Sequence, residues 1–143
     1  MKLLISEVLQ KAHNAKTKAE KIKILQQNNT PALRMIFIIN YDDSIISLMP
    51  EGAPPFNKNE APAGTEHTHL EHEARLLHHF FKGGSNLKPM KREQMFIQLL
   101  EGLHPDEADV IIKAKDKELG KRYKVTKATV SEAFPEIQWG GRS

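Results

Sequence analysis

A short basic segment between two predicted helices, residues 120–127, holds the residues most able to do chemistry. Thr126 is placed to cap a following helix through its hydroxyl, and Gly120 is placed to end the preceding helix in the left-handed conformation. Free amides at a helix start, beside cations, are a common phosphate site. The segment therefore predicts phosphate binding, with the alternative that its cations only keep a loop solvated. The cations are Lys121, Arg122, Lys124 and Lys127.

A second segment, residues 82–88, combines glycines with cations. Glycine amides have no side-chain cover and can approach a phosphate closely. The segment therefore predicts a second turn that clamps a phosphate backbone, and the alternative is an ordinary glycine stop after a helix. The candidate residues are Lys82, Gly83, Gly84, Ser85 and Lys88.

Five of the seven histidines lie within residues 66–79, in the sequence EHTHLEHEARLLHH. His69, His72 and Glu73 share one face of a predicted helix, and imidazole with carboxylate can bind zinc or nickel. The sequence has no His-Glu-x-x-His motif, and solvated histidines on an amphipathic helix explain the pattern as well. We therefore expect no metal site and keep these three residues as weak candidates only.

Signals for catalysis are missing from the sequence. It has no cysteine, no glycine-flanked nucleophile and no phosphate-binding glycine fingerprint, and no pair of carboxylates stands out. The lack of cysteine also excludes disulfides and thiolate metal ligands. We therefore expect a protein that is not an enzyme and has no cofactor and no small-molecule substrate.

Amphipathic helices must position the two basic segments. The pattern predicts helices near residues 2–13, after the Thr17 capping box, and after Thr30-Pro31, Pro89 and His104-Pro105. The helix after Pro31 is apolar nearly all round, so we expect it at the centre of the core; a β-strand over residues 35–40 is the alternative. Arg92 is expected on the solvated face of its helix, and Lys115 belongs to the spacing that gives the helix after Pro105 one apolar face with basic edges.

Residues 50–65 form a predicted proline-rich loop, because their prolines and glycines cannot continue a helix. Phe56 is expected to attach this loop to the core. We assign residues 1–137 to a single domain, since 143 residues suffice for one hydrophobic core, and residues 138–143 to a C-terminal tail.

The overall charge is mildly basic, with a net charge of +3 and a pI near 9.1. This balance permits nucleic-acid binding without requiring it. No apolar run approaches the roughly 20 residues that span a bilayer, and the apolar N-terminal start turns polar at once. We expect no membrane partner and a cytoplasmic location, in the host cytoplasm if the protein is viral.

The pattern over residues 99–137 resembles the end of the N-terminal, non-catalytic domain of ATP-dependent DNA ligases, especially those of T-even-like phages. In that family an aspartate-leucine-glycine turn precedes a short helix that ends in an aromatic residue and a proline. The counterparts here are Asp116, Leu119, Gly120 and Phe134-Pro135. Residues 1–56 are similar to the family as well. The ligase motif Lys-x-Asp-Gly, which carries the adenylylated lysine, is absent from this sequence.

The resemblance implies an all-α, single compact multi-helix domain acting as a stand-alone phage protein. The family domain grips sugar and phosphate of double-stranded DNA without reading sequence, so the two basic segments would contact the two strands. The implied role is an accessory factor in DNA replication, DNA repair or transcription, and the implied protein partner is a replication or transcription protein. The alternative is a protein-interaction adaptor for a polymerase, sliding clamp or virion component, with no direct DNA contact.

Overall fold

The computed structural model describes residues 3–58 and 68–141. Within these ranges the regular structure is helical, apart from one isolated β-bridge between Ser47 and Phe81, so the predicted all-α fold is confirmed. None of the described helices is long and apolar enough to cross a membrane. The helices are α1 (Ile5–Asn14), α2 (Lys18–Gln27), α3 (Pro31–Tyr41), α4 (Leu70–Glu73), a 3₁₀ helix (Ala74–Phe80), α5 (Pro89–Gly102), α6 (Pro105–Lys115), α7 (Leu119–Arg122) and α8 (Lys127–Ala133).

Local capping residues start four of these helices, as the sequence predicts. The hydroxyls of Thr17, Thr30 and Thr126 each accept a hydrogen bond from the amide three residues later, at 3.1–3.2 Å. His104 caps α6 through Nδ1, which accepts from the amide of Asp106 at 3.0 Å. These bonds satisfy amides that otherwise have no partner within the helix.

Helix α3 forms the centre of the core. Leu33, Ile36 and Phe37 are almost completely buried, and the Phe37 ring packs against Phe134 of the segment after α8. Helix α3 packs against α6, α8, α4 and the 3₁₀ helix. The helical prediction for this apolar stretch is confirmed, and the strand alternative is wrong.

Buried Glu107 joins three helices, a role that the sequence does not indicate. One carboxylate oxygen accepts from the amide of Ile5 at the start of α1, at 3.1 Å. The other accepts from the amide of Leu70 at the start of α4, at 3.0 Å. A negative charge at two helix N-termini is favourable both for the amides and for the helix dipoles.

Helix α6 does not end at Gly120 as predicted. It ends at Lys115, the following turn has Lys117 at φ +59°, and Gly120 lies inside α7. The Lys117 ammonium donates to the carbonyls of Ile39 and Asp42, both at 2.8 Å. These contacts with the end of α3 hold Lys117 in the left-handed conformation, and they are tertiary contacts that a local glycine rule cannot anticipate.

The proline-rich loop is attached to the helices over its described part; residues 59–65 of the predicted loop lie outside the described ranges. The ammonium of Lys115 donates to the carbonyl of Pro50 at 2.9 Å, and Asp116 accepts from the amide of Gly52 at 2.9 Å. Phe56 packs against the core, as predicted. Lys115, which the sequence places with the apolar face of α6 and its basic edges, is 4% exposed, because it holds the loop and pairs with Asp116 at 2.7 Å.

The segment predicted as a C-terminal tail contacts the helical body over its described residues, 138–141. The indole of Trp139 donates to the hydroxyl of Ser131 in α8 at 3.2 Å. The amide of Gly140 donates to the buried carboxylate of Asp42, just after α3, at 2.8 Å. Residues 142–143 lie outside the described ranges.

Candidate nucleic-acid interface

The first candidate surface is the segment at residues 82–88, which we call the glycine turn. Gly83 has φ +85° and open space around the position of a Cβ, so its backbone is accessible. Gly84 lies so close to His78 that a Cβ would meet the His78 carbonyl oxygen at 1.9 Å. Both glycines are therefore required, the first for its conformation and the second for close backbone packing.

Arg92 of α5 attaches the glycine turn to this helix. Its guanidinium donates through Nε to the carbonyl of His79 at 2.9 Å and through Nη2 to the carbonyl of Leu87 at 2.8 Å. Arg92 is buried, so its predicted exposure is wrong. The physical reason is that the backbone carbonyls of His79 and Leu87, on the two sides of the glycines, need hydrogen-bond donors, and Arg92 in the first turn of α5 supplies them.

The side chains of the glycine turn divide into accessible cations and an enclosed hydroxyl. Lys82 and Lys88 are exposed, and no described carboxylate lies within ion-pair distance of either ammonium. The hydroxyl oxygen of Ser85 is buried and has no hydrogen-bond partner in the described structure. Ser85 therefore does not present its hydroxyl to a ligand in this conformation, and the predicted contact of this residue, through its backbone amide, stays a prediction.

The segment at residues 120–127 is largely neutralised at its first two cations. Arg122 forms an ion pair with Asp109 and lies 3.6 Å from a carboxylate oxygen of Asp106. Lys121 pairs with Glu118 at 3.5 Å. These carboxylates compete with any phosphate, so Lys121 and Arg122 are poorer anion ligands than the sequence suggests.

The environment of Arg122 reinforces this pairing. Burial by itself lowers the pKa of the guanidinium, but the hydrogen bond to Asp109 and the nearby negative charges outweigh burial and raise the pKa of Arg122 overall. Its guanidinium carbon also lies 5.2 Å from the centroid of the Tyr123 ring. Arg122 therefore has a structural role between α6 and α7.

Lys124 and Lys127 of the same segment remain available to bind an anion. Both are exposed, and neither ammonium has a described carboxylate partner. The Lys127 ammonium lies 5.1 Å from the centroid of the Trp139 ring, which limits its freedom without neutralising it. The Thr126 hydroxyl accepts from the amide of Thr129, so it serves its own helix, as predicted, and is only partly free for a ligand. Gly120 is exposed within α7.

The fold brings the end of α1 against this segment. The amide of Lys124 donates to Nδ1 of His13 at 2.9 Å, and Lys16 follows α1 with its exposed side chain nearby in the chain. We call the surface formed by His13, Lys124 and Lys127 the Lys124 corner. Sequence reasoning missed His13 because only a contact across 111 positions joins it to Lys124.

Both candidate surfaces are anchored to α3. The glycine turn lies beside Arg34 and Ile38, with which Lys82 and Gly83 line a groove. The segment that holds Lys124 is attached through Tyr41, whose hydroxyl donates to the carbonyl of Val125. The two surfaces are thus attached to the same helix at different residues.

The weak metal candidates do not form a site. Glu73 accepts from the Thr68 hydroxyl at 2.8 Å, and the His72 ring lies 3.8 Å from the same carboxylate oxygen. Nδ1 of His69 is buried and has no partner in the described structure. Within the described residues, no three histidine, aspartate or glutamate side chains are arranged to hold a metal ion.

Comparison with known proteins gives one match. The profile of DUF6433, described as a family of unknown function, matches residues 8–121. This range includes the glycine turn and most of the helical body. No curated protein and no solved structure matches the chain.

Proposed function

We propose that this chain, which belongs to the DUF6433 family, binds the sugar-phosphate backbone of double-stranded DNA without reading sequence and without catalysis. The observation that carries the proposal is that accessible glycine backbone and unpaired lysines occur together. The lysines of the glycine turn and of the Lys124 corner are exposed and have no described carboxylate partner, whereas Lys18, Lys113 and Lys121 are paired with acids. Lys11, Lys23 and Lys91 are exposed and without a described carboxylate partner as well, so the uncovered backbone at Gly83 distinguishes the glycine turn from these positions.

The glycine turn supports backbone binding because its shape is set before a ligand arrives. Arg92 attaches the turn to α5 through the carbonyls of His79 and Leu87. No side chain covers the backbone at Gly83. A turn that is already ordered loses little conformational entropy when a phosphate binds. Lys82 and Lys88 add the positive charge that favours the bound anion.

The Lys124 corner supplies a second group of cations, attached to α3 like the glycine turn. Two separate groups of cations suit the two strands of a duplex, which carry phosphates on both sides of a groove. Contacts of this kind position a protein on DNA and carry no sequence information. The proposal therefore predicts similar affinity for unrelated sequences.

The resemblance to the ligase domain adds the biological part of the proposal. It suggests a phage accessory protein in the host cytoplasm that acts in DNA replication, repair or transcription. This part depends on the similarity in sequence pattern, whereas the binding surfaces depend on the described contacts.

Fluorescence anisotropy with a labelled duplex tests the proposal over a series of salt concentrations. Binding to phosphates releases counterions, so the logarithm of the affinity should fall with the logarithm of the salt concentration by about 0.9 for each phosphate contacted. A slope equivalent to roughly four or more phosphates, equal for two unrelated sequences, supports the proposal. Absence of binding at low salt contradicts it.

Two triple variants locate the interface. Lys82→Gln, Lys88→Gln and Lys124→Gln together remove three unpaired cations, and Lys18→Gln, Lys113→Gln and Lys121→Gln together remove three paired ones. Both variants lose the same net charge, so a general electrostatic effect would weaken binding equally. The first variant should lose about tenfold or more in affinity and the second much less. Equal losses would show that binding does not depend on the proposed surfaces.

A further inference from the structure

A groove of about 400 Å³ lies between α3 and the end of the 3₁₀ helix. Its volume is within the range of about 300–1,000 Å³ found for ligand pockets. Most of its lining is apolar, and the apolar side chains are Met35, Ile38, Ile39, Ile45, Leu77 and Phe81.

The polar part of the lining carries only positive or neutral groups. Arg34 and Lys82 lie at the groove with His78, and no aspartate or glutamate is among the lining residues. Arg34 has a hydrogen bond to the side-chain oxygen of Asn29, a neutral group that leaves its charge unbalanced. The groove therefore combines an apolar floor with a basic rim.

Two exposed apolar residues belong to the segment next to the groove. This segment follows Ile45 and pairs with the end of the 3₁₀ helix: the Leu48 amide donates to the carbonyl of Phe80 and the Lys82 amide donates to the carbonyl of Ile46, both at 2.9 Å. Ile46 and Leu48 are 44% and 41% exposed, and they are two of four large apolar side chains that are exposed in the described ranges. Exposed apolar side chains close to an apolar groove are typical of sites for protein partners.

We infer that this groove binds an acidic amphipathic helix of a partner protein. The apolar face of such a helix, with anchors at positions i, i+3, i+4 and i+7, fills the groove as in other helix-in-groove complexes. Its carboxylates lie next to Arg34 and Lys82, whose charges no lining acid opposes. A helix is favoured over a small molecule because the segment paired with Lys82 at the groove rim carries exposed Ile46 and Leu48, which a longer partner can contact outside the groove.

Binding of synthetic peptides to the full chain tests this inference by fluorescence anisotropy. The probe is a labelled amphipathic helical peptide with leucine and phenylalanine anchors and glutamates at the flanking positions. A second peptide has the same anchors with lysines in place of the glutamates, and a third has the glutamate peptide's composition in scrambled order. The inference predicts that the glutamate peptide binds at least about tenfold more tightly than either of the others.

Paired variants connect the binding to the groove. Met35→Glu places a charge on the apolar floor, and Met90→Glu makes the same change at a methionine that is 75% exposed on α5. Lys82→Glu reverses a rim charge, and Lys91→Glu reverses an exposed charge that does not line the groove. Circular dichroism and thermal unfolding confirm that each variant is folded.

The expected result is that Met35→Glu and Lys82→Glu weaken binding of the glutamate peptide by about tenfold or more, while the two control variants change it less than about twofold. If Met35→Glu unfolds the protein, the comparison of Lys82→Glu with Lys91→Glu still decides the outcome. Failure of the glutamate peptide to bind, equal binding of the lysine peptide, or equal effects of groove and control variants would overturn the inference.

Discussion

Arg122 and Asp109 form an ion pair that joins α7 to α6. This contact changes the interpretation of the basic segment at residues 120–127, because the arginine that is best suited to bind phosphate already binds a carboxylate. Phosphate binding in this part of the molecule therefore depends on Lys124 and Lys127, together with His13 of the Lys124 corner.

Lys124 and Lys121 should differ in their contribution to DNA binding. Lys124→Ala removes an unpaired cation and should lower the salt slope by about 0.9, since one fewer phosphate is neutralised. Lys121→Ala removes a cation paired with Glu118 and should lower the slope by much less. Anisotropy titrations of both variants at several salt concentrations measure this difference. A larger effect from Lys121 would contradict the assignment of the corner.

Arg92 should be important for stability as well as for the shape of the glycine turn. Arg92→Met leaves the carbonyls of His79 and Leu87 without their buried donor, and the free energy of unfolding should fall by about 2–4 kcal/mol. Urea denaturation measures the change. Lys91→Met, at the exposed neighbouring position, is the matched control and should change stability by less than about 0.5 kcal/mol.

Glu107 should stabilise the junction of α1, α4 and α6. Glu107→Gln keeps the size of the side chain but places an NH₂ group opposite one of two amides, those of Ile5 and Leu70. One buried amide then loses its acceptor, which should cost about 1–3 kcal/mol of unfolding free energy. Exposed Glu136→Gln is the control for the loss of charge. Equal stability of the two variants would show that the shared carboxylate contributes nothing.

His79 should make stability depend on pH. Burial, with additional repulsion from the charges of His78 and Arg92, lowers the pKa of His79 below its ordinary value of 6.5. As the pH falls below about 6.5, the unfolded chain therefore binds this proton before the folded protein does, and the free energy of unfolding decreases until the folded pKa is reached. Well above pH 6.5 the imidazole is neutral in both states, and the effect vanishes.

The variant His79→Gln tests this dependence. Its stability should decrease less than that of the unmodified protein between about pH 7 and pH 5, as measured by urea denaturation at each pH. His72→Gln, at an exposed histidine, should retain the full decrease. The hypothesis fails if the two variants have the same pH profile.

Features that depend on neighbouring residues in the chain were predictable from the sequence. The threonine caps, the His104-Pro105 start of α6 and the apolar pattern of α3 were all correct, because capping and periodicity are local properties. The positions of the two basic segments also follow from the sequence. Their glycines and lysines lie close together along the chain.

Only the tertiary structure decided which charged groups are available. Arg92 and Lys115 are buried beneath loops that need donors, Arg122 is paired with Asp109, and Lys117 ends α6 by binding the end of α3. Each of these contacts joins residues that are separated along the chain or belong to different elements. The sequence pattern around a charged residue is the same whether its side chain faces solvent or a buried carbonyl. Which charged groups are buried or paired is therefore decided by how the helices pack.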